Sequence, residues 1–117
     1  MKKINAPAFD EMFDVIQKIT DLDLEVSAWK IKKEMLEAEV MLEATLTDKH
    51  LVKGKTPSVT FIDRSWKLTG FNGEITETKI KLAEASSKLD EEKRKFEILK
   101  MMFDMWRTQS ANERTSL

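Results

Sequence analysis

Glycine and proline are confined almost entirely to one short stretch of this 117-residue chain, which holds all three glycines and one of the two prolines. Because these residues are the strongest breakers of regular secondary structure, residues about 48–73 are predicted to form an insert between two uninterrupted helices. The first helix is predicted over about 6–47, with Pro7 in its first turn, where proline is tolerated. The second helix is predicted over about 74–109, followed by a polar tail, 110–117, that frays. Together these elements fit a single domain.

The composition narrows the class of protein. With 41% hydrophobic and 35% charged residues, the chain is too apolar for a disordered tail and too charged for a compact all-β domain. Its net charge of −1 gives no overall attraction to nucleic acids or membranes. The lack of cysteine excludes disulfides, a thiol nucleophile and cysteine-built zinc or iron–sulfur sites. Since the sequence shows neither the apolar core of a signal peptide nor an apolar run of about 20 residues, we expect a cytoplasmic protein without membrane contact.

Apolar residues in both predicted helices recur at alternating spacings of three and four, the a/d pattern of a heptad repeat. In the first helix only Lys33 and Glu43 break this pattern. Helices of this length are too long for a compact globule, so we expect an all-α fold in which they pair as a long antiparallel, coiled-coil-like hairpin. The pairing positions, called the seam below, are Met12, Val15, Ile19, Leu22, Val26, Trp29, Lys33, Leu36, Val40 and Glu43, and Ile75, Thr78, Leu82, Ala85, Leu89, Glu92, Phe96, Leu99, Phe103 and Trp106.

A second apolar row lies on another side of the first helix. This outer row consists of Leu24, Ala28, Ile31, Met35, Ala38 and Leu42, and near the end of the second helix the apolar surface is similarly widened by Ile98, Met101, Met102 and Met105. One partner helix cannot cover both sides, and burial of each large apolar side chain contributes about 1.5–3 kcal/mol. We therefore expect a homo-oligomer whose interface candidates are Leu24, Ile31, Met35, Leu42, Ile98, Met101 and Met105. In the alternative, the insert folds back over one of the rows.

The insert has a different composition from the helices. Its segments 59–62 and 66–69 have strand-like content, so the insert is predicted to be irregular or to form a small β-hairpin. It is also the one locally basic region, with aromatic residues between the cations. Cations follow phosphates and aromatic rings stack on unpaired bases, so this combination suits single-stranded nucleic acid. The candidate contacts are Lys49, Lys53, Lys55, Arg64, Trp66 and Lys67.

A structural interpretation of the same insert is also open. Phe61 and Trp66 could pack onto the helices, which would leave the lysines as solvated loop residues. In that case the basic character of the insert would have no ligand.

The sequence gives no pattern of catalytic or metal-binding residues. His50 is the only histidine, so a histidine-based metal site or a Ser–His relay lacks its partners. Gly54-Lys55-Thr56 matches the end of a phosphate-binding loop, but Lys49 occupies the position of the required earlier glycine. Glu43 and Glu92 fit polar positions of the seam better than a carboxylate metal site. We therefore expect a protein that is not an enzyme and needs no cofactor or metal.

Three features in order along the chain resemble the UvsY recombination mediators of T-even-like phages. They are Ile31-Lys32-Lys33-Glu34-Met35-Leu36-Glu37-Ala38-Glu39, the basic insert after it, and Phe96-Glu97-Ile98-Leu99-Lys100 leading to Trp106-Arg107. The resemblance covers about residues 29–108. It implies an oligomeric helical protein that binds single-stranded DNA and helps to load a recombinase onto DNA coated by another protein. It also implies that Lys49, Lys53 and Lys55 are the candidate DNA contacts.

The leading hypothesis is therefore a self-assembling helical protein that contacts single-stranded DNA through its insert, with a recombinase or another phage or host protein as further partner. The main alternative is a structural assembly protein, such as a phage scaffold, a virion accessory protein or a coiled-coil adaptor, in which the insert makes only protein contacts. A third alternative is an inhibitor that docks on a host protein.

Overall fold

The structure, a computed structural model, describes residues 9–115. Within that range the chain forms four helices and no β-strand. These helices are α1 (Phe9–Leu46), α2 (Val59–Arg64), α3 (Trp66–Thr69) and α4 (Glu74–Thr115). The predicted all-α class is thus confirmed for the described residues, and the predicted helix start near Pro7 lies outside them.

The chain divides into two compact units. The described part of the terminal unit combines residues 9–23 with residues 86–115, and the central unit spans residues 24–85. Each unit therefore contains a segment of α1 and a segment of α4.

In the terminal unit, α1 and α4 pack through the seam. Val15 of α1 and Leu89 and Leu99 of α4 are buried, and the other seam positions of this unit are half-buried. The rings of Phe9 and Phe103 meet edge to face with their centroids 5.7 Å apart. The predicted pairing of the two helices is confirmed here because the residues that the heptad pattern selects are the ones removed from water.

Glu92 is a polar member of the seam in this unit. Its carboxylate accepts a hydrogen bond from the Lys95 ammonium at 3.0 Å, and Glu91 lies 3.9 Å from the same ammonium. The hydrogen bond to Glu92, together with the nearby negative charges, raises the pKa of Lys95. The ammonium therefore places a positive charge beside the acidic seam position.

The central unit has its own core, to which the insert contributes. Val40 and Ala44 of α1, Ile62 of α2 and Ile75 of α4 form a buried cluster. The partly buried side chains packed against this cluster are Leu36, Met41, Trp66 and Phe71. Since the end of α1 meets the beginning of α4 in this cluster, the two helices run antiparallel within the central unit, as predicted.

The alternative of a β-hairpin in the insert is wrong, because both candidate strand segments are helical. Ser58 caps α2: its hydroxyl accepts a hydrogen bond from the backbone N–H of Phe61 at 3.2 Å. Such a cap satisfies one of the unpaired donors of a helix start, and burial of Ile62 fixes the helix against the core. These interactions outweigh the strand preference of β-branched residues, which depends strongly on context. In the described chain, the only β-type pairing of the insert is one bridge between Val52 and Lys55.

The predicted polar tail is also different in the structure, where α4 continues to Thr115. The segment 110–115 contains no glycine or proline that would end the helix. The Thr115 hydroxyl donates back to the carbonyl of Ala111 at 3.2 Å, which fits helical geometry. Polarity alone was therefore a poor signal for the end of this helix, and residues 116–117 lie outside the described range.

Candidate functional site

A tight turn at the start of the insert presents two lysines. Val52 and Lys55 exchange backbone hydrogen bonds of 2.8 and 3.1 Å across the turn. The central residues, Lys53 and Gly54, both have positive φ, at 53° and 76°, as in a type I′ turn. Glycine adopts this conformation freely, whereas for lysine it carries a steric cost.

The cations of this turn are available to a ligand. Lys53 and Lys55 are exposed, and neither makes an ion pair with any residue in the range 9–115. Arg64, at the end of α2, is likewise exposed and without an ion pair in that range. Three of the five predicted basic contacts are therefore free.

The other two predicted basic contacts have acidic neighbours within the chain. The Lys67 ammonium lies 3.4 Å from a carboxylate oxygen of Asp63, four residues earlier in α2. The Lys49 ammonium lies 3.7 Å from a carboxylate oxygen of Glu43. Both pairs are exposed enough that they are weak, so they reduce the local positive charge without fixing these lysines firmly.

Aromatic side chains of the insert gather in one cluster. The imidazole of His50 stacks on Phe71 with centroids 3.7 Å apart and planes 6° apart. Trp66 lies 5.2 Å from Phe71 and 5.6 Å from His50, and Phe61 meets the indole edge to face at 5.2 Å. Trp66, a predicted nucleic-acid contact, is half-buried and packs against the central core. This packing agrees with the structural interpretation of the insert, in which Trp66 packs onto the helices.

His50 is the member of this cluster that the sequence did not reveal. α1 ends at Leu46, and the imidazole of His50, four residues later, lies among the aromatic rings. Its Nε2 is 3.7 Å from a carboxylate oxygen of Glu43. The only signal in the sequence was the high density of aromatic residues in the insert, which does not specify which rings meet.

The loop before α4 is closed by a carboxylate. Glu74 accepts hydrogen bonds from the backbone N–H groups of Phe71 at 3.1 Å and Asn72 at 2.8 Å. Hydrogen bonds from backbone N–H groups lower the pKa of Glu74: its own N–H has the largest effect, and those of Asn72 and Phe71 add to it. Desolvation acts in the opposite direction and is outweighed. The same carboxylate lies over Gly70, whose φ of +84° is open only to glycine without strain. This cap holds the end of the insert against α4.

The outer row of α1 is exposed to solvent in the single chain. The exposed fractions are 68% for Leu24, 58% for Ile31, 58% for Met35 and 56% for Leu42. The insert therefore does not cover this row, in contrast to the alternative that it folds back over it. Residues of the seam, on the other side of the same helix, are buried or half-buried.

The terminal unit carries the second set of predicted interface residues. Ile98, Met101 and Met105 are exposed, as is the neighbouring Met102. Ile98 and Met102 also line a shallow groove of about 270 Å³ in this unit. Flexible methionine side chains are common on surfaces that adapt to protein partners.

Metal binding and membrane insertion were two further possibilities for the described part of the chain. No three His, Asp or Glu side chains of residues 9–115 come together as metal ligands. Neither long helix contains, in that range, an apolar stretch sufficient to cross a membrane. No protein-family model, curated protein or solved structure matches this chain.

Proposed function

We propose that this chain is a non-enzymatic, self-associating helical protein that contacts single-stranded DNA through its basic insert, as the recombination mediators that its sequence resembles do. The observation that carries this proposal is the exposed outer row of α1. The DNA contact is supported separately, by the free cations of the insert.

Self-association follows from the cost of leaving the outer row in water. Burial of a leucine, isoleucine or methionine contributes about 1.5–3 kcal/mol. The row holds four such residues on one side of one helix, so that a neighbouring copy would cover them together. A surface of this kind on a monomer would promote uncontrolled aggregation, whereas a specific oligomer removes it from solvent.

DNA binding is supported by the position of the insert's cations. Lys53 and Lys55 extend from one tight turn, and their charges have no acidic partner among residues 9–115. Two or three phosphate contacts per copy give only weak binding, but several copies on one strand bind together through a high effective concentration. Self-association would therefore convert a weak contact into a strong one.

A structural assembly protein is the second candidate, and it is favoured by the packing of Trp66. An indole held between His50, Phe61 and Phe71 is not free to stack on a base. In this case the insert would be a compact connection whose lysines are solvated, and the protein would make only protein contacts.

Titration of a labelled single-stranded oligonucleotide at low and moderate salt separates the two candidates. Binding that depends on phosphate contacts weakens steeply as salt increases. The double variant Lys53→Ala, Lys55→Ala should weaken it further, with a similar loss of affinity for any base sequence. A matched control is Lys30→Ala, Lys88→Ala, which removes two exposed lysines from α1 and α4 without altering the turn. Absence of binding at low salt, or equal losses in the two double variants, would favour the assembly protein.

A further inference from the structure

We infer that neighbouring copies pack through their outer rows with the α1 helices parallel and in register. This inference rests on the self-association proposed above and adds its geometry. It is drawn from the spacing of the outer row and from the charged residues that border it.

Two arrangements of a pair of α1 helices bury the whole outer row, one parallel and one antiparallel. In a parallel pair each residue of the row meets its own counterpart. In an antiparallel pair centred at position 33, Leu24 meets Leu42, Ala28 meets Ala38 and Ile31 meets Met35, because each of these pairs of numbers has the same sum. Every other antiparallel register leaves part of the row in water, so apolar burial selects these two arrangements and does not distinguish them.

The charges beside the row disfavour the antiparallel arrangement. Glu25, Lys32 and Glu39 border the row on one side at intervals of seven residues, and Glu34 borders it on the other. Antiparallel helices bring equivalent sides together, so that Lys32 faces Lys32 of the second copy and Glu34 faces Glu34. Glu25 meets Glu39 in the same way. All four residues are exposed, and each of these contacts is between like charges.

The parallel arrangement contains fewer unfavourable pairs. Parallel helices bring opposite sides together, with each residue of one side near the residue five positions later on the second copy. Lys32 is then close to the neutral Ser27, and the like-charge contact of Glu34 with Glu39 occurs twice in a pair, against four like-charge contacts in the antiparallel pair. Since both arrangements bury the same apolar side chains, this difference in charge favours the parallel one.

Disulfide cross-linking tests the orientation directly, because the chain has no cysteine of its own. Leu24→Cys and Leu42→Cys are made separately, and each is oxidised alone and in an equal mixture. Parallel packing predicts that each variant links to itself and that the mixture gives almost no mixed dimer. Antiparallel packing predicts the reverse, since about 27 Å of helix separates positions 24 and 42. Lys30→Cys, which is exposed but lies off the outer row, is the control for random collisions.

A charge reversal gives a second, independent test. In the parallel arrangement Glu34→Lys places a cation near Glu39 of the neighbouring copy, so the dissociation constant should fall by on the order of three- to tenfold at low salt. In the antiparallel arrangement the same change replaces one like-charge pair with another, and association should not improve. Asp90→Lys, which changes an exposed carboxylate of α4 that makes no ion pair with the described residues, serves as the control for net charge.

The results separate failure of this inference from failure of the proposed function. A wild-type chain that stays monomeric in sedimentation equilibrium at high concentration overturns both. The parallel arrangement is overturned, with self-association intact, by either of two results. In the first, only the mixture of Leu24→Cys and Leu42→Cys forms cross-links; in the second, Glu34→Lys does not strengthen association. An oligomer in which none of the cysteine variants links above the Lys30→Cys control places the interface elsewhere and also overturns this inference.

Discussion

At the residue scale, Glu74, the first residue of α4, closes the end of the insert, since its carboxylate accepts hydrogen bonds from the two successive backbone N–H groups of Phe71 and Asn72. The ionised carboxylate is the stronger acceptor, so the folded state favours it and the pKa of Glu74 is lowered. Protonation weakens the cap. The stability that the cap contributes is therefore tied to pH.

The pH dependence of this cap can be predicted with its sign. Because the folded pKa is lowered, the contribution is fully present above the ordinary value of 4.5 and is lost as pH falls through the folded pKa. Glu74→Gln should cost about 1 kcal/mol of unfolding free energy at pH 7, and the difference from the wild type should shrink below pH 4.5. Urea unfolding monitored by circular dichroism between pH 3 and 7 measures it.

Glu77→Gln is the matched control for that experiment, because its exposed carboxylate, one turn into α4, accepts no hydrogen bond from the described residues. A difference between wild type and Glu74→Gln that stays constant over the whole pH range would contradict the role of the ionised carboxylate.

Lys53 illustrates a conflict between local stability and function. A non-glycine residue in the left-handed region is tolerated at a cost, and asparagine is the residue preferred at this position of a type I′ turn. Lys53→Asn should therefore raise the unfolding free energy by about 0.5–1 kcal/mol. If the insert contacts DNA as proposed, the same variant should bind a single-stranded oligonucleotide more weakly. Loss of stability in urea unfolding would show that the lysine is not strained.

At the element scale, the two long helices could be predicted from the sequence, and the insert could not. The seam is defined by a periodic pattern repeated over many turns, so errors at single positions such as Lys33 do not change the conclusion. Segment 59–69 is short and holds residues with strand preference, and its helices depend on the Ser58 cap and on burial of Ile62. Burial against other elements is a long-range effect, which a local pattern does not contain.

The contribution of α2 to the central core can be tested by truncation. Ile62 is fully buried, so Ile62→Ala removes packed atoms and leaves a cavity, and it should cost about 2–5 kcal/mol. Val59 is exposed on the same helix, and Val59→Ala should change stability by less than about 0.5 kcal/mol. Chemical unfolding of both variants provides the comparison. Similar effects at the two positions would contradict the packing of α2 against the core.

The candidate site could be predicted in part. Lys53 and Lys55 are free cations, as the basic composition of the insert suggested, whereas Trp66 joins an aromatic cluster. Charge is a property of the residue type, but the exposure of an aromatic ring depends on which neighbours the fold supplies. For that reason the exposed outer row, which follows from helical spacing alone, was the more predictable surface.

At the scale of the whole molecule, the central question is whether the outer row belongs to an interface. Ile31→Glu places a charge in the middle of that row, at a position that is exposed in the single chain. It removes about 1.5–3 kcal/mol of apolar burial per copy, and because a pair of copies loses this twice, pairing should be roughly a hundred- to ten-thousandfold weaker. The individual hairpin should keep its helices, because the seam lies on the other side of α1.

Light scattering gives the mass of the Ile31→Glu chain, and circular dichroism gives its helix content. We expect a smaller mass with most of the helix signal retained, while the conservative variant Ile31→Leu keeps the mass of the wild type. Simultaneous loss of mass and of all helix would mean that the helices form only within the oligomer. An unchanged mass would mean that copies associate through a different surface. The exposed Met101 and Met105 of the terminal unit are the next candidates for that surface. In that case Met101→Glu should dissociate the copies.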